Sequence, residues 1–167
     1  MCSKYLVVCD RRENFPSRVE WLDRAWGEVP VSYVQDGEEL RSTSYLDVKV
    51  NKWELNSGWS GRQVDEPWIR IEFFRDNFLK SFVEENAFPF DLDFSSDMLL
   101  VFELDDGWLD VDKYLIENIV CVLSEKCRCY LWRGRFELLG REYFKNIPSK
   151  IEVKNMLIDC QHELKGA

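Results

Sequence analysis

The sequence is poor in the residues on which catalytic, metal and cofactor sites are usually built. It contains one histidine, His162, and eight glycines in 167 residues. A single histidine cannot form a histidine-rich metal site, and so few glycines disfavour a backbone loop that cradles phosphate. The motifs G-x-G-x-x-G, G-x-S-x-G and H-E-x-x-H and the P-loop are also missing. We therefore expect no catalytic residues, no cofactor and no bound metal.

Long apolar segments are missing as well. No apolar run approaches the roughly 20 residues that span a bilayer. The first residues have a short apolar run followed by Arg11 and Arg12, without the long apolar segment and small-residue cleavage site of a signal peptide. We expect a cytoplasmic protein with no membrane partner, whose six cysteines are reduced thiols. Cys127 and Cys129 form C-x-C, but no second close pair completes a zinc site.

Basic residues are absent from one long segment, Glu84 to Asp112. This acidic stretch holds ten carboxylates and no lysine or arginine, whereas the rest of the chain is close to neutral, with 22 bases and 21 acids. The formal net charge is −9. Such a charge disfavours nonspecific binding to nucleic acid or an anionic membrane and favours encounter with a basic protein. We expect the stretch to form an acidic surface on one side of the molecule.

The hydrophobic pattern predicts an α/β protein of the mixed α+β kind. Apolar residues make up 46% and aromatics 14% of the chain, which is typical of globular proteins. Short strands alternate with helical segments, which predicts a mixed, mostly antiparallel sheet of about seven strands with about four helices. The segment from Met98 to Arg133 has the order strand, helix, strand of a crossover unit. Length and composition predict a single globular domain over residues 1–167.

Three tryptophans lie around one predicted hairpin. The strand that starts at Tyr45 is expected to continue into Trp53 and Leu55. A Gly-rich turn over residues 56–61 then carries Trp59 at its tip. Trp53 is expected in the core together with Trp68, whereas Trp59 is the most interface-like of the three because tryptophan often anchors protein interfaces.

The acidic stretch has several interpretations. Its carboxylates can serve only as helix caps, strand ends and solvated surface. They can instead dock a basic partner, through the predicted partner-binding residues Asp91, Asp93, Asp105, Asp106, Trp108, Asp110, Asp112 and Trp59. A metal-dependent hydrolase or nuclease would use Asp91, Asp93, Glu103 or Asp105, and a glycosidase-like pair of carboxylates is a further option. A structural subunit that buries exposed aromatics in a permanent complex is the third class, and the oligomeric state is left open.

The chain as a whole resembles the bacterial immunity proteins that neutralise polymorphic or contact-dependent toxins. The resemblance is one of type, carried by small size, acidity, many aromatics, the lack of a catalytic motif, and the acidic stretch with Trp108 and Trp59. It implies a non-enzymatic, stoichiometric inhibitor of a cognate toxin, often a nuclease with a basic active-site cleft. Carboxylates placed over such a cleft would speed association and exclude a phosphate substrate.

Overall fold

The computed structural model describes residues 3–59, 67–105 and 108–160, and they form a mixed α+β fold around one open sheet. Each strand of the sheet is antiparallel to its neighbours, in the order β2-β3-β4-β5-β1-β6-β7. The strands are β1 (Lys4–Asp10), β2 (Val31–Gln35), β3 (Tyr45–Val50), β4 (Ile69–Phe74), β5 (Asp97–Leu104), β6 (Arg128–Trp132) and β7 (Phe136–Leu139). The predicted fold class and the number of strands are confirmed.

Six α-helices lie in the described part of the chain, four of them longer than six residues. They are α1 (Arg18–Trp26), α2 (Lys52–Leu55), α3 (Asp76–Asn86), α4 (Asp110–Ser124), α5 (Arg141–Lys145) and α6 (Lys150–Ile158). Local sequence fixes the ends of α1, because the Ser17 hydroxyl accepts a hydrogen bond from Glu20 N–H and Gly27 follows the helix with φ +73°. Within the described ranges, no helix is long and apolar enough to cross a membrane.

The predicted crossover unit is present, with one strand inserted into it. β5, α4 and β6 follow one another in the chain, and β1 lies between β5 and β6 and is antiparallel to both. β5 and β6 are therefore parallel to each other without being hydrogen-bonded neighbours. α4 must cross over β1 to connect them, which places it on the central strands of the sheet.

The two faces of the sheet are covered unequally. The inward side chains of β1 and β5, such as Val7 and Phe102, pack under α1, α4 and α6 in the main core. The opposite face carries a smaller core in which Leu6 and Val101 pack against Leu79 and Phe82 of α3. Alternation along each strand sends neighbouring side chains to opposite faces, so the apolar runs of β1 and β5 serve both cores.

Tryptophan indoles attach helices to one another in the main core. Trp21 and Trp26 of α1 donate hydrogen bonds to carbonyls of α4, at Ile119 (3.0 Å) and Leu115 (2.9 Å). A buried indole N–H needs an acceptor, and these carbonyls supply it. The arrangement fixes α1 along α4 and therefore fixes both helices on the sheet.

The segment that follows β3 differs from the prediction. β3 ends at Val50, and the short helix α2 takes the place of the expected continuation through Trp53 and Leu55. Trp53 is 52% exposed, so its predicted place in the core is wrong. The helical turn directs Lys52, rather than Trp53, inward, and Lys52 is only 1% exposed.

Candidate functional site

The structure divides the acidic stretch between the two ends of the sheet. Asp97 begins β5, and Asp105 follows its last residue, Leu104. Eight residue steps of about 3.4 Å each along β5 separate these groups by roughly 27 Å. The expectation of one continuous acidic surface over this stretch is wrong, because its central strand is apolar and spans the core.

One end of the sheet is rich in arginine as well as aspartate, and we call it the Asp97 end (Asp10, Asp91, Asp93 and Asp97). The Asp97 carboxylate accepts hydrogen bonds from Asp93 N–H (2.8 Å) and from the Arg128 guanidinium (3.4 Å). Arg128 also donates to the Asp91 carbonyl at 3.2 Å. Arg128, which lies outside the acidic stretch in sequence, therefore partly neutralises the charge of this stretch in the folded protein.

Local hydrogen bonds satisfy other carboxylates at the Asp97 end. Asp10 pairs with Arg12 at 2.8 Å, and hydrogen bonds from the side chain and backbone of Arg12 lower the pKa of Asp10 to about 2. Hydrogen bonds from Ser95 lower the pKa of Asp93. The predicted docking residues Asp91 and Asp93 are exposed, but they lie among groups that already compensate the local charge.

Asp112 lies in the interior, which removes it from any docking surface. It is 2% exposed, and its carboxylate lies 2.7 Å from the Lys52 ammonium, itself 1% exposed. The same carboxylate accepts the Leu109 N–H at 2.8 Å, next to the start of α4. Asp112 and Lys52 therefore form a structural ion pair that anchors the start of α4 to α2.

Trp59 is also buried, contrary to its predicted position at an exposed tip. It is 1% exposed, and its indole donates to the Leu157 carbonyl of α6 at 2.8 Å. The Lys52 ammonium lies 4.8 Å from its ring centre, so the indole also forms one wall around the buried ion pair. The loop around Trp59 therefore fastens α6 to α2.

The other end of the sheet keeps the predicted interface residues exposed, and we call it the Trp108 end (Asp105, Trp108 and Asp110). Asp105 follows β5, Asp110 begins α4, and Trp108 lies between them with 38% of its surface exposed. Asp106 lies outside the described residues. Exposed tryptophan is found at protein interfaces more often than on ordinary surface, and the two carboxylates place negative charge on either side of it.

A cavity of about 170 Å³ opens beside Trp108. Its walls combine the Trp108 indole with the apolar side chains Leu104, Ile116 and Leu131. Polar groups come from Ser3, Tyr5, Lys113, Arg133 and Tyr143. These residues lie on or next to β1, β5, α4, β6 and α5, so elements far apart in sequence build the cavity together.

A buried carboxylate organises the polar side of this cavity. Glu117 of α4 is 4% exposed and accepts hydrogen bonds from the hydroxyls of Tyr5 (2.9 Å) and Tyr143 (3.1 Å). The two hydroxyls are themselves 2.7 Å apart, and the Lys113 ammonium lies 3.5 Å from the carboxylate. The network fixes both phenol rings against the cavity and satisfies an otherwise costly buried charge.

The tyrosines of this network are held in their neutral form. Burial, the hydrogen bond with Tyr143 and the charge of Glu117 raise the pKa of Tyr5 far above its ordinary value. Burial and the nearby Glu117 raise the pKa of Tyr143 to about 12. Both phenols therefore stay protonated near neutral pH and act as hydrogen-bond donors rather than as nucleophiles or bases.

The cavity size selects one class of occupant. Sites for drug-sized ligands and cofactors occupy about 300–1,000 Å³, whereas a cavity of about 150 Å³ accepts one benzene-sized group. A cavity of about 170 Å³ therefore matches a single protein side chain.

In the described ranges, no three His, Cys, Asp or Glu side chains lie together as a metal site would require. The hydrolase candidates are themselves separated, with Asp91 and Asp93 at one end of β5 and Glu103 and Asp105 at or beyond the other.

No protein-family model, curated protein or solved structure matches the chain.

The sequence pattern identified Trp108, Asp105 and Asp110 but missed the cavity beside them. Neither Tyr5 nor Glu117 stands in a motif, so no pattern in the sequence singles them out. Tyr143 follows β7 in a segment whose short helix was not predicted. No local signal brings these residues together, since their contact depends on the insertion of β1 between β5 and β6.

Proposed function

We propose that this chain is a non-enzymatic binding protein that docks a basic protein partner at its Trp108 end. The observation that supports the proposal is the exposed Trp108 between Asp105 and Asp110, beside a cavity with room for one side chain. A partner residue with an apolar or aromatic body fills the cavity against Leu104 and Leu131. The carboxylates outside it face basic groups around that anchor.

The cavity, the exposed carboxylates and the tyrosine hydroxyls contribute to binding in different ways. Burial of an anchor side chain supplies most of the affinity, as is usual at the centre of an interface. The exposed carboxylates act mainly on the association rate, because opposite charges attract before contact and the effect falls with salt. The neutral hydroxyls of Tyr5 and Tyr143 already donate to Glu117, so toward the anchor they offer only oxygen acceptors for a polar group.

We further propose that the partner is a toxin domain and that this chain is its immunity protein in the cytoplasm. The support is the resemblance of type described above, together with the exposed carboxylates of Asp105 and Asp110 beside the cavity. A nuclease is the toxin class that these two charges fit best, because its cleft must attract phosphate. Docking of the Trp108 end over that cleft would exclude the substrate by occupying its place.

The experiment begins by capturing the partner from cells of the natural source and expressing it with and without this chain. Association rates are then measured for wild type, for the double variant Asp105→Lys/Asp110→Lys, and for the matched control Asp91→Lys/Asp93→Lys at the opposite end. We expect the first double variant to lose at least about tenfold in association rate at low salt, and the control to lose much less.

Two outcomes separate the parts of this proposal. Equal losses in the two double variants would reject the Trp108 end as the docking surface. A captured partner that binds there but does not impair growth when expressed alone would reject the immunity role and leave the docking surface in place.

A further inference from the structure

Two cysteine thiols meet at the Asp97 end of the sheet, away from the Trp108 end. The antiparallel register of β1 with β6 pairs Val7 with Cys129 and Val8 with Arg128. The next residues of the two segments are Cys9, still within β1, and Cys127, one residue before β6, so the register brings them close together at the end of the ladder. Directly opposed residues of an antiparallel pair have Cβ atoms about 4.5–5.5 Å apart, within about 1 Å of the roughly 3.5–4.5 Å found in disulfides.

The two thiols differ in access. They lie close enough for Cys9 to lower the pKa of Cys127 and for Cys127 to raise the pKa of Cys9. Cys9 is 3% exposed, whereas Cys127 is half-buried, and both line a surface cavity of about 560 Å³. A cavity of this volume has room for a small organic molecule. A reagent that enters it reaches Cys127 before it reaches Cys9.

The electrostatic surroundings favour one thiolate. The hydrogen bond from Cys9 and the charge of Lys126 lower the pKa of Cys127, against the opposing effects of burial and of Glu13. The pKa of Cys9 is raised by its hydrogen bond to Cys127, by burial, and by Cys127, Cys129 and Asp97 nearby. Burial also raises the pKa of Cys121 and of Cys129. Of these four thiols, Cys127 is the one with a lowered pKa.

We propose that Cys127 and Cys9 form a redox-active dithiol, which a small disulfide such as glutathione disulfide oxidises to a cross-strand disulfide. The Cys127 thiolate attacks one sulfur of the reagent, whose S–S bond breaks. One small thiolate leaves and takes up the proton that Cys127 lost. Cys127 then carries a mixed disulfide within the cavity.

Cys9 completes the reaction. It loses its proton and attacks the Cys127 sulfur, the mixed disulfide breaks, and the second small thiolate leaves and takes up that proton. Two protein thiols are oxidised by two electrons, and the reagent is reduced to two thiols. Cys129 is a poorer partner for Cys127, because residues two apart on a strand project side by side with Cα atoms about 6.8 Å apart.

The test is oxidation of the native protein by glutathione disulfide, followed by proteolysis and mass spectrometry without reduction. We expect one Cys9–Cys127 linked peptide and a fall from six to four titratable thiols in the denatured chain, which has six cysteines. Because this measurement uses the wild-type protein, it does not depend on whether a variant folds. A linkage between other cysteines, or no linkage, would overturn the proposal.

Substitutions distinguish the role of Cys127, which attacks the reagent, from that of Cys9, which completes the disulfide. Cys9→Ser should stop at a glutathione adduct on Cys127, Cys127→Ser should form no adduct at Cys9, and the control Cys121→Ser should still give the cross-strand disulfide. Iodoacetamide should modify Cys127 at least about tenfold faster than Cys121 near pH 7. An adduct on Cys9 in the absence of Cys127, or equal alkylation of Cys127 and Cys121, would contradict the assigned order of attack.

Discussion

The Lys52 ammonium and the Asp112 carboxylate form an ion pair of 2.7 Å in which both side chains are almost fully buried. The pair connects the short helix after β3 to the start of α4. Two charges in the interior are tolerated only while each compensates the other, because desolvation of a lone ion costs several kcal/mol. This dependence makes the pair a sensitive test of the core.

The first prediction concerns the charge of Asp112. Asp112→Asn keeps an oxygen that can accept the Leu109 N–H but leaves Lys52 without a counter-charge. We expect the free energy of unfolding to fall by about 3–5 kcal/mol in urea titrations. Asp110→Asn, at an exposed position in the same helical turn, should cost less than about 1 kcal/mol.

The double variant Lys52→Met/Asp112→Asn provides the decisive comparison for this pair. Removal of both charges should cost clearly less than the sum of the two single substitutions, since each single substitution leaves one buried ion unpaired and the double variant leaves none. Additive losses in this cycle would show that the two charges are not coupled.

The second prediction compares two tryptophans whose expected and observed positions are exchanged. Trp59 is 1% exposed and hydrogen-bonded to α6, whereas Trp53 is 52% exposed. Trp59→Ala should lower the free energy of unfolding by about 3–5 kcal/mol through lost burial and a residual cavity. Trp53→Ala should lower it by less than about 1 kcal/mol in the same urea titration. Similar losses for the two variants would contradict the observed placement.

This exchange shows where sequence reasoning reached its limit. The fold class, the seven strands and the ends of α1 follow from local signals such as the strand alternation, the Ser17 cap and Gly27. The burial of Lys52 does not follow from such signals, because its partner Asp112 is distant in sequence and no local pattern predicts a buried lysine. The glycines around Trp59 suggested an exposed turn, but packing against α6 overrides that local preference.

The candidate site was predictable to a similar extent. An acidic stretch with an exposed Trp108 could be identified from composition. Its division between two ends of β5 follows from the predicted strand that begins at Met98, but only together with the finding that this strand crosses the core. The network of Tyr5, Glu117 and Tyr143 depends on the order of strands in the sheet, which the sequence pattern did not determine.

The third prediction concerns affinity at the Trp108 end. Trp108→Ala should weaken binding of the captured partner by at least about 2 kcal/mol, roughly thirtyfold in Kd, because an anchoring indole is lost. The control Phe78→Ala removes an exposed aromatic ring near the start of α3, at the Asp97 end of the sheet, and should leave Kd within about twofold. Isothermal titration calorimetry measures both, and thermal unfolding checks that each variant is folded.

A loss of binding in both Trp108→Ala and Phe78→Ala would indicate a different or larger interface. An unchanged Kd for Trp108→Ala would remove the indole from the docking surface, whatever the double charge reversal shows.

The fourth prediction concerns alkaline pH and rests on the tyrosine network around Glu117. Unfolded tyrosine ionises with a pKa of about 10, whereas the pKa of Tyr143 in the folded protein is about 12 and that of Tyr5 is also raised. Between about pH 10 and 12 the unfolded chain therefore binds fewer protons than the folded one. The stability that these groups contribute is fully present below about pH 10. As the pH rises further, the free energy of unfolding falls by up to about 1.4 kcal/mol per pH unit for each tyrosine.

Urea titrations at a series of pH values from about 9 to 11.5 measure this slope, and Tyr143→Phe tests its origin. The variant loses one hydrogen bond to Glu117, so its free energy of unfolding near neutral pH should be lower by about 1 kcal/mol. Its alkaline slope should be shallower than that of the wild type, because one group that resists ionisation has been removed. A purely structural role for Tyr143 would lower stability equally at every pH and leave the slope unchanged, and that result would contradict the assigned network. Lys113 and Arg133 also line this cavity, so both proteins should be compared at the same ionic strength to keep the influence of these charges constant.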